Sequence, residues 1–375
     1  MKLFIPTETA AGETRVALNP DAVKKLIAQD HDMTVQAGAG ERAGISDDAY
    51  KNAGAKISNA ADKDIPNTDF LIAVRRPQSK TLNQLKKGAR LACLFEPADA
   101  PEALTACAKG EITAYALDLV PRITRAQAMD ILSSQANLAG YRAVIEAAEA
   151  FDRAMPMMMT AAGTIPPARV LILGAGVAGL QAIATARRLG AIVCATDVRP
   201  AAKQQVESLG ASFVAVEDDE FKAAETAAGY AKPMSDAYQA KQNDLIAETL
   251  KKQDIVITTA LIPGRAAPLL ISAAMAESMG PGSLIIDLAA ERGGNCALTK
   301  LGQTVTHKGI RIIGPYNGGF GAPRDASNLL ARNILAFLTL ALDPDTDPAD
   351  EILAGVTLTN GGKIVHPDFA KDKPS

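Results

Sequence analysis

Cysteine, histidine and blocks of like charge are scarce in this chain, and each shortage closes off a class of function. Its 375 residues include four cysteines, Cys93, Cys107, Cys194 and Cys296, far apart and without a C-x-x-C pair. The three histidines, His31, His307 and His366, share no local ligand spacing. Neither a zinc site nor a disulfide framework is indicated, and reduced thiols in a cytosolic setting are expected. Lys+Arg total 39 against 42 Asp+Glu, a net charge of −3, and no basic run exceeds two residues. That balance leaves no electrostatic footprint for nucleic acid or an anionic membrane. The first residues, MKLFIPTETAAGETRVAL, lack the apolar core of a signal peptide and carry acidic residues early, so export is not expected. Residues 155–186 hold one charged side chain, Arg169, but Pro156, Pro166, Pro167 and several glycines interrupt any spanning helix. A soluble chain without direct membrane insertion is expected. No G-x-S-x-G nucleophile turn occurs, and no histidine sits in a catalytic setting.

What is present is alternation of apolar runs with helical patterns. KLFIP (2–6), MTVQAG (33–38), DFLIAV (69–74), ARLACLF (89–95) and ITAYALD (112–118) read as strands. Asn19-Pro20 starts a helix, since Asn caps and Pro suits the first turn. RVLILG (169–174), AIVCATD (191–197), ASFVAV (211–216), DIVITTA (254–260) and SLIIDLA (283–289) are runs without polar alternation, the pattern of strands buried on both faces. Residues 223–242 form a long polar segment with Gly229 and Pro233, read as a functional or mobile loop. DASNLLARNILAFLTLAL (325–342) is one apolar-faced helix. The fold class is therefore α/β, with two Rossmann-like domains, parallel sheets flanked by helices, and a cleft between them. The first domain spans 1–130 and is rejoined by a tail, 315–375. The second spans 140–310, and residues 125–144 are the interdomain helix.

LILGAGVAGLQ carries Gly174, Gly176 and Gly179 after a buried-type strand and before an Ala-rich helix. A second strand follows and ends in Asp197, 23 residues beyond Gly174. This is the dinucleotide-binding constellation. Gly174 permits the tight turn, Gly176 lets backbone N–H groups approach a pyrophosphate, and Gly179 allows close packing of helix on sheet. The helix N-terminus adds donors and a favourable dipole. Asp197 suits an adenosine ribose and disfavours a 2′-phosphate, which points to NAD(H), although Arg199 beside it can serve a phosphate.

RAQAMDILSSQANLAGYRAV (125–144) has helical character but an unusual polar stripe. Gln127, Asp130, Ser134, Asn137 and Tyr141 recur at spacings of three and four, with amides and hydroxyls where Lys and Glu are usual. Two readings fit that stripe: a wet or interdomain packing face, or a grip on a nicotinamide carboxamide. Hydride transfer between two nicotinamide rings needs the rings held close and dry, with no acid, base or nucleophile. Arg122 and Arg125 lie just before the stripe.

PRITRAQAMDILSSQANLAGYRAVIEAA, PMMMTAAGTIPPARVLILGAGVAGLQAIATARRLGA, ATDVR, ETAAGYAK, ITTALIPGRAAPLLI and PGSLIIDLAAERGGNC resemble one family closely. It is the NAD(H)-binding component, domain I, of proton-translocating nicotinamide nucleotide transhydrogenase, a relative of alanine dehydrogenase. The likeness is closest over 110–310, and PYNGGFGAPRD (315–325) departs from the family pattern. The resemblance implies hydride transfer from NADH on this chain to NADP⁺ on a partner component, coupled to proton passage through a membrane component. It implies a homodimer in the cytoplasm, peripheral to the inner membrane through its partners. It places Gln127 against the nicotinamide and Arg122, Asp130 and Ser133 around its carboxamide. Here it selects Ser133, where periodicity selects Ser134. Tyr230 matches the tyrosine of a loop that closes over the nucleotide. The nucleotide-binding set is Gly174, Gly176, Val177, Ala178, Gly179, Asp197, Val198, Arg199, Tyr230, Ala260 and Leu261. Two alternatives stand beside it: an alanine dehydrogenase-like oxidoreductase, and a non-catalytic NAD(H)-binding module. The first relies on a Lys and a His on adjacent strands, where this chain has Arg75, Arg76 and no His.

Overall fold

The structure, a computed structural model, describes residues 1–224, 234–262, 264–316, 321–347 and 349–370. The apolar runs of the first third become strands β1 (Lys2–Ile5), β2 (Asp32–Gln36), β3 (Lys56–Ser58), β4 (Phe70–Arg75), β5 (Arg90–Leu94) and β6 (Thr113–Ala116). In β4 all residues but the last are buried, as an unalternating apolar strand must be when both its faces are covered. Helix Pro20–Ile27 starts where the Asn-Pro pair places it. Asn19 Oδ1 accepts the N–H of Ala22 at 3.0 Å, and Pro20 opens the first turn.

The chain continues through helix Ile131–Ala150 into a hairpin, β7 (Met158–Thr160) and β8 (Gly163–Ile165). Then come β9 (Arg169–Leu173), β10 (Ile192–Thr196), β11 (Ser212–Phe213), β12 (Ile255–Thr258), β13 (Leu284–Asp287), β14 (Gln303–His307) and β15 (Ile310–Gly314). Helix Pro323–Leu342 leads to β16 (Thr357–Asn360) and β17 (Lys363–Ile364). Two compact units result: Met1–Gln135 with Gly321–Ser375, and Ala136–Phe320.

Among the described residues, the first unit's sheet runs β17-β16-β6-β5-β4-β1-β2-β3 and the second's β11-β10-β9-β12-β13-β15-β14. Both are α/β sheets dominated by parallel pairs. The edges depart from the all-parallel expectation: β16, β17 and β14 run antiparallel to their neighbours. Short, half-polar strands such as QTVTH suit a sheet edge and need no crossover helix. Two further readings are corrected. Only Ser212–Phe213 of 211–216 pairs as strand. The polar segment 223–242 is not all loop, because Ser235 caps a helix, Asp236–Leu250, by accepting the N–H of Tyr238. Within that segment, residues 225–233 lie outside the described set.

Each sheet separates two apolar layers by the period of two along a strand. In the first unit Leu3, Ile5, Val35 and Ile72 pack with Leu330, Ile334 and Phe337 of helix Pro323–Leu342. Phe4, Leu71 and Leu91 face the other way, onto Leu104, Cys107 and Leu358. In the second unit Val170, Ile172, Ile255 and Ile257 meet Val144 and Ile183, while Leu171, Leu173 and Val256 meet Ile246 and Leu250.

The first sheet reverses its strand order between β1 and β4, the place where open α/β sheets gather polar groups. There Glu8 is buried, and its carboxylate accepts the N–H groups of Val74 at 2.6 Å and Arg75 at 3.2 Å. Glu13 takes a bidentate pair from Arg15 at 2.7 and 2.6 Å and a third bond from Arg75 at 2.9 Å. Arg42 donates to the carbonyls of both glutamates. Burial pushes Glu8 up to about 7 despite its two N–H donors. Burial also works against the ionised form of Glu13, but the Arg15 bonds and the charges of Arg15 and Arg75 outweigh it and hold that carboxyl below its ordinary value.

The two shifts have opposite consequences. Glu8 binds its proton more tightly folded than unfolded, so its contribution is full below about pH 4.5 and is lost as pH rises through about 7. Denaturant titrations of wild type and Glu8→Gln at pH 5 and pH 8 check this. Moving to pH 8 is expected to shift the stability difference in favour of the variant by on the order of 2 kcal/mol. A difference that does not change with pH would show that Glu8 is not the group responsible.

Candidate functional site

The turn after β9 is shaped by three glycines. Gly174 has φ +101°, and a Cβ there would lie 2.7 Å from Thr259 Oγ1. A Cβ on Gly179 would lie 1.8 Å from the Gly174 carbonyl oxygen, so helix Val177–Arg188 packs against the turn with room only for hydrogen. Gly140, on helix Ile131–Ala150, is equally tight, with a Cβ position 2.0 Å from Ala178 O. At Gly176 a Cβ would meet nothing within 4 Å. Gly176 is also the helix N-cap and supplies no side-chain acceptor to the first-turn N–H groups. Open space above an uncapped helix N-terminus is the cradle a pyrophosphate needs. The residues present fit a dinucleotide.

Asp197 follows β10, its side chain 8% exposed. Its Oδ2 accepts the N–H of Ala175 at 2.8 Å, tying the acid to the glycine turn. Arg199 grips both carboxylate oxygens, at 2.9 and 3.0 Å, and its Nη2 also donates to Ala175 O. The acid is thus paired with a cation, a fact the sequence spacing did not reveal. Val177, Val198 and Leu261 leave apolar side chains exposed at the ends of β9, β10 and β12. Ala260 is clamped at both backbone atoms by Asn295: its N–H donates to Oδ1 at 3.0 Å, and its carbonyl accepts from Nδ2 at 2.9 Å. Asn295 in turn donates its own N–H to Asp287, a fully buried carboxylate. Sequence reasoning missed both residues. The available signal was that Asp287, like Asp197, ends an apolar strand.

The polar stripe requires correction. Residues 125–144 are not one helix: Thr124–Met129 form a 3₁₀ segment, Asp130 breaks it at ψ 87°, and helix Ile131–Ala150 starts afterwards. Asp130 is the reason. Its carboxylate accepts the Ser133 N–H at 2.9 Å and the Ser133 hydroxyl at 2.6 Å, capping the new helix and ending the old turn. Gln127 therefore lies outside the helix that carries Ser134, Asn137 and Tyr141. Ser134 turns inward, 2.7 Å from Asn333 Oδ1. Arg122 and Gln127 are exposed, Asp130 and Ser133 half-buried, so the four expected catalytic residues share one segment of the first unit. The described members of the nucleotide set share the second unit. Tyr230 lies outside the described residues.

Among the described residues no group of three or more His, Cys, Asp or Glu is placed to hold a metal ion. No described helix is long and apolar enough to cross a membrane.

Comparison with known proteins accounts for nearly the whole chain. The family model described as alanine dehydrogenase/PNT, N-terminal domain, matches residues 4–139, and that described as alanine dehydrogenase/PNT, C-terminal domain, matches residues 143–367. The first part of NAD(P) transhydrogenase subunit alpha from Rhodospirillum rubrum is 51% identical over 377 residues, covering 98% of each chain. Its counterpart in Rickettsia prowazekii is 44% identical over 372 residues, covering 98% of this chain and 96% of its own. The crystal structure of transhydrogenase from Sinorhizobium meliloti superposes with a TM-score of 0.88 at 48% identity, covering 97% of this chain and all of that one. The chain belongs to the alanine dehydrogenase/PNT family, across both of that family's domains, and its full-length likeness is to transhydrogenase alpha subunits.

Proposed function

We propose that this chain binds NAD(H) in its second unit and passes hydride directly between NADH and NADP⁺ held on a partner component. In this reading a membrane-embedded component couples the transfer to proton movement, and the chain sits at the inner membrane through those partners. The observation that carries the reading is the glycine turn, which leaves open space above Gly176 beside an uncapped helix N-terminus. The full-length likeness to transhydrogenase alpha subunits supports the choice of chemistry.

When bound, the dihydronicotinamide supplies the hydride, and transfer to a second such ring needs no protein acid or base. The role of the chain is then to bind, orient and keep water out. Gly174, Gly176, Val177, Ala178 and Gly179 hold the pyrophosphate by backbone, and Asp197 holds the adenosine ribose. Val198, Ala260 and Leu261 line the nucleotide. The Ser133 hydroxyl donates its hydrogen bond to Asp130, which leaves the Ser133 oxygen as an acceptor for the NH₂ of a carboxamide. The exposed guanidinium of Arg122 suits the carboxamide oxygen, and Gln127 marks the edge where a second nucleotide docks. An amino-acid oxidoreductase finds less support. Arg75 pairs with Glu13, Arg76 donates to the carbonyls of Phe95 and Glu96, and the stretch LACLFEP (91–97) at β5 contains no histidine.

A second copy of this chain is the proposed homodimer partner. All six residues of the β7–β8 hairpin are exposed, including Met158, Met159 and Ile165. An isolated two-stranded hairpin is marginal in water, and Met-rich surfaces favour protein contacts. Sedimentation velocity is expected to give about twice the 39.1 kDa chain mass, and Met159→Asp to weaken that association by about 1–2 kcal/mol. A monomer at all concentrations rejects the dimer.

Gln127→Asn tests the site itself. Single-turnover hydride transfer to an NADP⁺-loaded transhydrogenase partner is expected to slow by about 10-fold or more, with NADH affinity within about 3-fold of wild type. Fluorescence titrations with NADH and with NADPH read the Asp197 assignment. An unchanged transfer rate removes Gln127 from the site, and equal affinities for NADH and NADPH remove Asp197 as the coenzyme selector.

A further inference from the structure

We infer that Asn333, on the helix Pro323–Leu342, is a positioning residue for the turn that carries Gln127, Asp130 and Ser133. Asn333 is 9% exposed, and its side chain bonds to both sides of the break at Asp130. Its Nδ2 donates to the Ala128 carbonyl at 2.8 Å, between Gln127 and Asp130. Its Oδ1 lies 2.7 Å from the Ser134 hydroxyl, one residue beyond Ser133. One amide therefore fixes the end of the 3₁₀ segment and the start of helix Ile131–Ala150 relative to each other.

The surroundings explain why a single amide matters. Ala126, Met129 and Ile131 are buried in the apolar layer formed with Leu330, Ile334 and Phe337, so the turn's apolar side already rests on the helix that bears Asn333. Apolar contact is non-directional and permits sliding or rotation of the exposed Gln127–Ala128 edge. Hydrogen bonds are directional, and the two at Asn333 remove that freedom. A second tie comes from the same tail: Asp350 pairs with Arg125 at 2.7 Å while capping helix Glu351–Val356. In this way 321–370, far in sequence from the turn, holds the backbone from which the nicotinamide-facing side chains project. Ser134 acquires a role distinct from Ser133: it braces the turn, while Ser133 presents its oxygen.

The inference rests on the hydride-transfer reading, and the experiment separates the two. Asn333→Leu keeps the branched shape, at a larger volume, and removes both hydrogen bonds; Ser134→Ala keeps Asn333 and removes one. Each is mixed with an NADP⁺-loaded transhydrogenase partner for single-turnover transfer, titrated with NADH, and followed by amide hydrogen exchange. For Asn333→Leu, transfer is expected to slow by about 10- to 100-fold and exchange over 124–134 to quicken by about 10-fold. Exchange over 169–197 should stay within about 3-fold of wild type, and so should NADH affinity, since the groups proposed for the pyrophosphate and ribose belong to the other unit and only the carboxamide contacts lie on the turn. Ser134→Ala is expected to show the same pattern at smaller amplitude, and it keeps the test open if Asn333→Leu fails to fold. A merely structural role would quicken exchange everywhere and lower transfer and NADH affinity in parallel. That result, or a variant that matches wild type in transfer, overturns the inference alone. No transfer from the wild-type mixture overturns the parent reading and the inference with it.

Discussion

The carbonyl oxygen of Gly174 and the α-carbon of Gly179 approach so closely that a methyl group on the latter would lie 1.8 Å from the former. That approach sets the rest of the second unit. It forces helix Val177–Arg188 to begin directly above the end of β9, with its first-turn N–H groups toward the open space at Gly176. Gly140 seats helix Ile131–Ala150 on the same first turn by the same means. Asp197 then reaches back to the Ala175 N–H, and Thr259 to the Gly174 carbonyl, so three strand ends converge on one turn. A surface made this way is backbone, and backbone held by close packing is pre-organised.

The first unit solves its problem differently. Its candidate groups lie on a turn that no glycine shapes, and polar side chains fix it instead. Asp130 ends one segment and caps the next, Ser133 satisfies it, and Asn333 and Asp350 hold the turn from the C-terminal tail. The buried pair Glu13 and Arg15 adds to this support: Arg15 Nη1 also donates to Gln135, at 3.0 Å, on the helix that follows the turn. Such networks specify one arrangement when fully satisfied and lose it when one member is removed.

Much of this was legible from residues alone. The buried strands announced themselves by unbroken Ile, Val and Leu, the tight turn after β9 by its three glycines, and the first helix by Asn-Pro. What was not legible depends on contacts that spacing cannot encode. A 3.6-residue period describes 125–144 well, yet Asp130 hydrogen-bonds its own neighbour and breaks the helix, a local choice that periodicity averages away. Periodicity selects Ser134, whose contact with Asn333, 199 residues further on, it cannot encode, while Ser133 bonds Asp130. Asn295 and the pairing of Arg199 with Asp197 were hidden for the same reason, the first because its clamp on Ala260 is long-range, the second because it depends on a rotamer. Antiparallel edges were missed because strands such as QTVTH bury little and leave no apolar signature.

The central claim is direct hydride transfer from NADH on this chain to a nucleotide on a partner. NADH carrying deuterium at both C4 positions of the nicotinamide tests it. The labelled NADH is mixed with this chain and an NADP⁺-loaded transhydrogenase partner, and the NADPH formed is read by mass spectrometry. The expected result is one deuterium in each NADPH, with none released to water. NADPH formed without the label, or NADH oxidised only when pyruvate and ammonium are supplied, would contradict the account.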